Sequence, residues 1–228
     1  MSDTALIIMA RYPEPGKTKT RLAHTIGAVE AAQLYQAFLS DLAVRFGPSP
    51  YALHWAYTPP DVDYHRFVTS LAPEHAPSMS CFPQQGADFG ARLLQAFRYT
   101  YAQGFVYTIL IGSDSPHISM AIIDSARAAL EEADVVLGPA DDGGYYLIGM
   151  HEPHDVFSGI PMSTPVVKQM TIEQAQRQGL TVRLLETLSD VDEWPDLLRL
   201  ARLLQVDRTL APATAAYIDT IAHIVTRS

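Results

Sequence analysis

Cysteine is nearly absent from this chain. Cys81 stands alone, so no internal disulfide can form. That suits a reducing compartment, and a cytoplasmic location is the expectation. Long hydrophobic runs are missing as well. The most apolar stretches, Ala5–Ala10 and Val106–Gly112, fall far short of the ~20 residues of a membrane span. The first residues show no basic segment leading into an apolar one, so no signal peptide is expected. Positive charge is also scarce: 16 Lys+Arg face 25 Asp+Glu, for a formal charge of −9. A general nucleic-acid binder needs a basic face, so nucleic acid is excluded as a partner. A small anion held by a local cationic patch is not.

What basic charge there is lies clustered. The chain has three lysines, and two fall in Ala10-Arg-Tyr-Pro-Glu-Pro-Gly-Lys-Thr-Lys-Thr-Arg-Leu22, together with Arg11 and Arg21. The remainder is ordinary globular sequence. With 228 residues and 48% apolar content, a substantial core forms without metals or cross-links, and one domain spanning 1–228 is the simplest organisation.

Short apolar runs alternate with helical patterns. Strands are expected at Thr4–Ala10, Ala52–Thr58, Met79–Phe82, Val106–Gly112, Asp134–Pro139, Tyr145–Met150 and Thr181–Leu188. Helices are expected at Ala28–Phe46, Arg92–Gln103 (Leu93, Leu94, Phe97 and Tyr101 inward), Ser119–Glu132, Thr164–Gln178, Pro195–Gln205 and Pro212–Thr226. Such alternation predicts an α/β fold around a mainly parallel sheet flanked by helices. Ligands of such sheets bind at the carboxyl ends of the strands, which is where segments 11–21, 84–92, 112–117, 139–144 and 189–192 fall.

Gly16-Lys17-Thr18 invites a P-loop reading, but that motif needs glycine at position 11, which is Arg11. What remains is a cationic loop after a strand. Backbone N–H groups near Gly16, with Lys17, Lys19 and Arg21, are suited to a di- or triphosphate. The other segments are acidic or glycine-rich. Asp114, in Ser113-Asp-Ser-Pro116, ends a buried strand and suits a hard cation. Asp190 and Asp192 alternate, so either is a second carboxylate for that ion or a cap for the helix near Pro195. Asp141 and Asp142 precede Gly143 and Gly144, whose freedom admits positive φ and close ligand approach. The two acids suit a metal or acceptor hydroxyls; an Asp-Gly turn is the plainer alternative. Gln85, Gly86 and Asp88 suit a base or sugar edge, with Asp88 equally a helix N-cap.

Pro13-x-Pro-Gly-x-x-Lys-Thr-Arg-Leu22 in this order of features, with Gln85-Gly-Ala-Asp-Phe-Gly-Ala-Arg92, Ile111-Gly-Ser-Asp-Ser-Pro116, Gly138-Pro-Ala-Asp-Asp-Gly-Gly-Tyr-Tyr-Leu-Ile-Gly149 and Asp190-Val-Asp192, resembles a bacterial family of glycosyltransferase-like proteins. Its members are labelled rSAM/selenodomain-associated, or arsenosugar-biosynthesis-type, transferases. The resemblance implies a Rossmann-like GT-A, or nucleotide-diphospho-sugar transferase, fold. It also implies a Mg²⁺ or Mn²⁺ cofactor, with Lys17, Lys19 and Arg21 on phosphates, Asp114 as first metal ligand and Asp192 as second. Two departures stand out: Met162-Ser-Thr164 replaces a usual Trp-Ser-Thr, and Asp192-Glu193 an Asp-Thr.

The implied activity is transfer from a nucleotide-sugar to a small-molecule acceptor, with Asp141 or Asp142 as general base. A nucleotidyltransferase taking a nucleoside triphosphate is the alternative. A nucleotide-binding module without catalysis is the third. Both catalytic readings release a polyanion and need the same charge neutralisation.

Overall fold

The computed structural model describes residues 2–222. Seven strands form one sheet in the order β3-β2-β1-β4-β6-β5-β7: β1 (Thr4–Arg11), β2 (Ala52–Thr58), β3 (Met79–Pro83), β4 (Tyr107–Gly112), β5 (Val135–Pro139), β6 (Tyr145–Met150) and β7 (Val182–Leu184). β1 pairs in parallel with β2 and β4, β2 with β3, and β5 with β7. β6 runs antiparallel to both β4 and β5. A hairpin connection of five residues, 140–144, leaves no room for a crossover, so β6 must reverse direction. The hairpin therefore sits on the same edge as the carboxyl ends of β1, β2, β4 and β5.

Residues of β1 alternate between two cores. Leu6, Ile8 and Ala10 join one cluster, and Ile7 and Met9 the other. The first core lies under α2 (Ala28–Phe46), α3 (Tyr64–Leu71), α5 (Met120–Ala129), α7 (Trp194–Val206) and α8 (Pro212–Thr220). The second is covered by α4 (Phe89–Ala102) and α6 (Val167–Arg177). Helices thus cover both faces of a sheet whose central strands are almost wholly apolar.

Most expected elements appear within a few residues of their expected ends. Several differ. Tyr101 points outward, 49% exposed, because α4 turns Leu93, Leu94, Phe97 and, in the last turn, Thr100 to the sheet. The helix expected from Thr164 starts at Val167, after Ser163 at φ 64 and Pro165. The last strand closes at Leu184, although Leu188 still bridges Ala140 in parallel. Two helices lacked a sequence signal: α1 (Thr20–Ile26), with two buried residues, and α3, capped by Asp63 accepting from Arg66 N–H. Positions 223–226 of the expected last helix lie outside the described residues.

Candidate functional site

The loops on the carboxyl edge enclose a cleft with two arms, which meet at Phe89, Asp114 and Ser163. One arm, of about 460 Å³, carries Arg11, Lys19, Arg21 and Arg92. The other, of about 240 Å³, carries Asp114, Asp142 and Asp190 against apolar walls. Every basic residue of the cleft thus lies in one arm, which also holds Asp192, while the other carries carboxylates alone, with Asp114 shared between them.

Each loop is braced from behind. In the basic loop, Thr18 is buried and its hydroxyl donates to Tyr12 O (3.1 Å) while accepting from Glu14 N–H (3.1 Å). At the junction of β1 and β4, Arg11 N–H donates to the Tyr35 hydroxyl (3.0 Å), and Ser113 Oγ donates to Met9 O (2.9 Å). Since the Ser113 hydroxyl proton is committed to Met9, Tyr35 donates across their 2.7 Å contact. Burial and the nearby Asp114 charge push the Tyr35 phenol up to about 12, so it remains a donor at any ordinary pH. The 189–192 segment is stitched to the same place: Val191 N–H donates to Asp114 O (3.0 Å), and Ser115 Oγ to Asp190 (3.0 Å).

Lys19 is the centre of the arrangement. It adopts left-handed backbone geometry, φ 48, immediately before α1, and sends its side chain inward until only 5% remains exposed. Its ammonium contacts Asp114 (2.5 Å), Asp192 (2.8 Å) and Val191 O (2.7 Å). Three donors meet three oxygens, which satisfies the group completely. Burial works to lower its pKa, but the two carboxylates outweigh burial and hold the charge more firmly than in free lysine. Asp192 is held below the ordinary carboxylate range, since Lys19 overcomes the opposing effect of burial. Cationic and acidic residues therefore do not simply form opposite walls. Lys19 is locked to two of the acids.

The remaining expected residues divide. Arg11, Arg21, Asp114, Asp142 and Gly144 line the cleft. Lys17 does not: it lies 67% exposed and pairs with Glu14 at 2.9 Å, because Gly16 at φ 77 turns it away from the sheet edge. Gln85 is exposed on a separate groove behind α4, and Gln84 takes the cleft position instead. Gln84 Nε2 donates to Ala10 O (3.1 Å) and Ala56 O (2.9 Å), which fixes its amide between β1 and β2. Asp88 is the N-cap of α4, accepting from Ala91 N–H (2.8 Å), and Gly86 lies in the turn before it. Asp141 accepts from Ser189 Oγ and faces the outer rim with Arg21 and Glu193. Gly143 holds the tight turn at φ 90, where a Cβ would come 2.1 Å from Pro165 O. The cap of α7 is neither Asp190 nor Asp192 but Glu193, in a capping box with Asp196.

Sequence reasoning missed Arg92, Gln84, Tyr35 and the Met162–Thr164 segment as parts of the cleft. Arg92 closed a motif already noted, and a cation one turn into a helix that opens at a strand end was the available signal. Among the described residues Arg11 and Arg92 form no ion pair, so both remain free for an anion.

Donor chemistry decides where a divalent ion would fit. The gap between Asp114 and Asp192 already holds the Lys19 ammonium, which would repel a second cation there. On the other side of Asp114 the donors are all oxygen and no cation lines the arm. Asp190 is pushed up to about 7, first by burial and then by the charge of Asp114. Asp190, crowded by Asp114 and without a basic partner of its own, suits with it a hard cation that completes its shell with phosphate oxygens and water. No three Asp, Glu, His or Cys side chains among the described residues form a self-sufficient metal cage.

Fold and cleft define the class: this is a nucleotide-utilising transferase architecture of the GT-A, nucleotide-diphospho-sugar transferase type. The chain belongs to the family described as uncharacterized proteins conserved in bacteria (DUF2064), whose model matches residues 50–164. It is similar over its whole length to a candidate nucleotide-diphospho-sugar transferase from Desulfovibrio desulfuricans G20. The two share 33% identity, with 100% of this chain and 98% of that one covered and a TM-score of 0.89. A cytidylyltransferase from Leptospira borgpetersenii serovar Hardjo-bovis (strain JB197) has the same fold at 13% identity, with 99% and 96% covered and a TM-score of 0.58. So does a 4-diphosphocytidyl-2C-methyl-D-erythritol synthase, at 8% identity, 90% and 99% covered, TM-score 0.56. Comparison with curated proteins returned no match. No described helix is long and apolar enough to cross a membrane.

Proposed function

We propose that this protein transfers a glycosyl group from a nucleotide-sugar to a small-molecule acceptor. The observation that carries the reading is the confinement of every basic residue to one arm of a continuous cleft. Unpaired Arg11 and Arg92, with Arg21 beside them, provide a seat for a diphosphate; carboxylates in the adjoining arm face the reacting end. Arginine is suited to this task because its planar donors match phosphate oxygens in pairs. Asp142 lies at the mouth of the acidic arm, with its Oδ1 oriented by Gly144 N–H (2.8 Å). It is the candidate general base for an acceptor hydroxyl. Asp141, tied to Ser189 on the rim, is further from that role. Asp114 with Asp190 would hold Mg²⁺ or Mn²⁺, which when bound would neutralise phosphate charge and assist departure of the leaving group. Lys19 then serves as the internal counter-charge that keeps Asp114 and Asp192 in place. The sequence motifs favour the rSAM/selenodomain-associated, arsenosugar-biosynthesis-type branch.

One observation favours a second reading. The cationic arm is the larger, and with Lys19 bound to Asp114 and Asp192 it still presents three arginines, Arg11, Arg21 and Arg92. Nucleotidyl transfer from a nucleoside triphosphate, with release of pyrophosphate, would give each of them phosphate oxygens to bind. Product analysis separates the readings. The protein is incubated with nucleotide-sugars and with nucleoside triphosphates, with and without Mg²⁺ or Mn²⁺, and thermal shift is read beside release of nucleoside diphosphate or pyrophosphate. Glycosyl transfer predicts the diphosphate, and Arg92→Ala should weaken donor binding about tenfold or more. Pyrophosphate release would establish the second reading. Stabilisation by nucleotide with neither product would leave a binding module, and no response from folded protein would refute all three.

A further inference from the structure

The acidic arm has a composition of its own. It is a cavity of about 240 Å³ lined by Met9, Leu93, Leu110, Met162 and Val167, with the rings of Phe89 and Tyr145 on its walls. Its polar side is Asp114, Asp142 and Asp190, and no lysine, arginine or histidine lines it. Every basic residue of the cleft lies in the other arm. Met9, Leu93 and Leu110 are buried members of the second core, and Val167 is buried beside them, so the apolar wall is preformed rather than assembled on binding.

From this division we infer that the acceptor is a non-anionic molecule with an apolar body: an alcohol or amine, excluding phosphorylated and carboxylated compounds. The inference rests on the reading of the cleft as a transferase site and specifies what its second arm takes. Two independent features carry it. The apolar wall recovers free energy only from a ligand that presents hydrocarbon or aromatic surface to it. Lys19 offsets Asp114 from the other arm, but Asp142 and Asp190 have no basic partner; they repel an anion placed in the same low-dielectric space, whereas they accept hydrogen bonds from a hydroxyl or an amine. Discrimination of this kind is built by unfavourable charge as much as by favourable contact. A divalent ion on Asp114 and Asp190 would neutralise those two and leave the selection to Asp142 and the apolar wall, so selection by charge is tested on the protein without divalent cations.

Direct binding tests the idea without requiring turnover. Benzyl alcohol, benzylamine, benzoate and benzyl phosphate present one ring with four different head groups. Their binding to the full chain is followed by ligand-observed NMR in the absence of nucleotide. Benzyl alcohol and benzylamine should bind at least ~10-fold more tightly than the two anions. Val167→Trp, which fills the arm, should abolish that binding while leaving stabilisation by nucleotide unchanged. Should that variant not fold, Met162→Trp gives the same readout from the less buried side of the cavity. Asp142→Lys should reverse the order and admit benzyl phosphate. The inference is overturned if benzoate or benzyl phosphate binds as well as benzyl alcohol, if none of the four binds, or if both filled variants bind as wild type. Loss of the nucleotide response alone, with the alcohol preference intact, would instead refute the donor reading.

Discussion

Replacing Lys19 with methionine isolates the contribution of the buried ammonium. The side chain keeps similar length and loses its charge. Asp114 and Asp192 then face each other across the gap, and Val191 O loses its donor. Breaking a fully buried ion pair costs about 3–5 kcal/mol. Here the lysine is buried, but the carboxylates are 43% and 45% exposed and recover much of their hydration. The expected loss is therefore nearer ~2 kcal/mol. For a chain of this size that corresponds to a fall in Tm of roughly 4–8 °C. The pH dependence gives a further signature. In the wild type Asp192 is held below its ordinary pKa, so its contribution is present above the unfolded carboxylate pKa and is lost as pH falls through the lower folded value. In Lys19→Met the sign reverses, because two facing carboxylates favour protonation. The variant should lose stability as pH rises from about 4 to 7. Asp192→Asn in the Lys19→Met background should restore part of the loss. Added Mg²⁺ should stabilise the variant more than the wild type, since the ammonium no longer fills the gap. Thermal melts across that pH range, with and without Mg²⁺, provide the measurement. An unchanged Tm with an unchanged pH profile would refute the assignment of Lys19 as the counter-charge of both acids.

Other parts of the structure predict as definitely. His54 is buried among Phe82, Tyr99 and Phe105 with no partner on either ring nitrogen, and burial lowers its pKa to about 4. The unfolded chain takes up a proton that the folded ring refuses, so stability should decline as pH falls from about 6.5 towards 4, by at most ~3 kcal/mol. In urea titrations at several pH values, His54→Leu should flatten that share, with His117, also lowered to about 4, carrying the remainder. Gly143→Ala places a Cβ 2.1 Å from Pro165 O at φ 90, and should cost ~2 kcal/mol or more in chemical denaturation while disturbing the Asp142 turn. Asp41→Ala removes the acceptor of Ala213 N–H (2.8 Å), Thr214 N–H (2.9 Å) and the Thr214 hydroxyl (2.6 Å). It should cost about 3 kcal/mol, with hydrogen exchange accelerated first in α8.

Wherever local chemistry suffices, the sequence by itself determined the outcome. The apolar runs of β1, β2 and β4 read as central strands, because each buries at least four successive residues and so presents both faces of a strand to core. The Asp-Asp-Gly-Gly turn set the hairpin that reverses β6, and the strand-end position of Asp114 placed it in the cleft. One cap was legible by the same logic: Asp88 bonds the helix that follows it. The tertiary structure decided what depends on direction and on partners remote in sequence. Lys17 and Lys19 are two residues apart and equivalent in composition, yet one faces solvent and the other is buried between loops 95 and 173 positions distant. A single left-handed φ at Lys19 makes that difference, and no sequence pattern announces it for a lysine. Likewise Gln84 rather than Gln85 enters the cleft, since neighbouring residues at a strand end point to opposite sides and only the β1–β2 carbonyls select which. Charge content is a property of the chain; whether a charge is free for a ligand or consumed by another residue is a property of the packing.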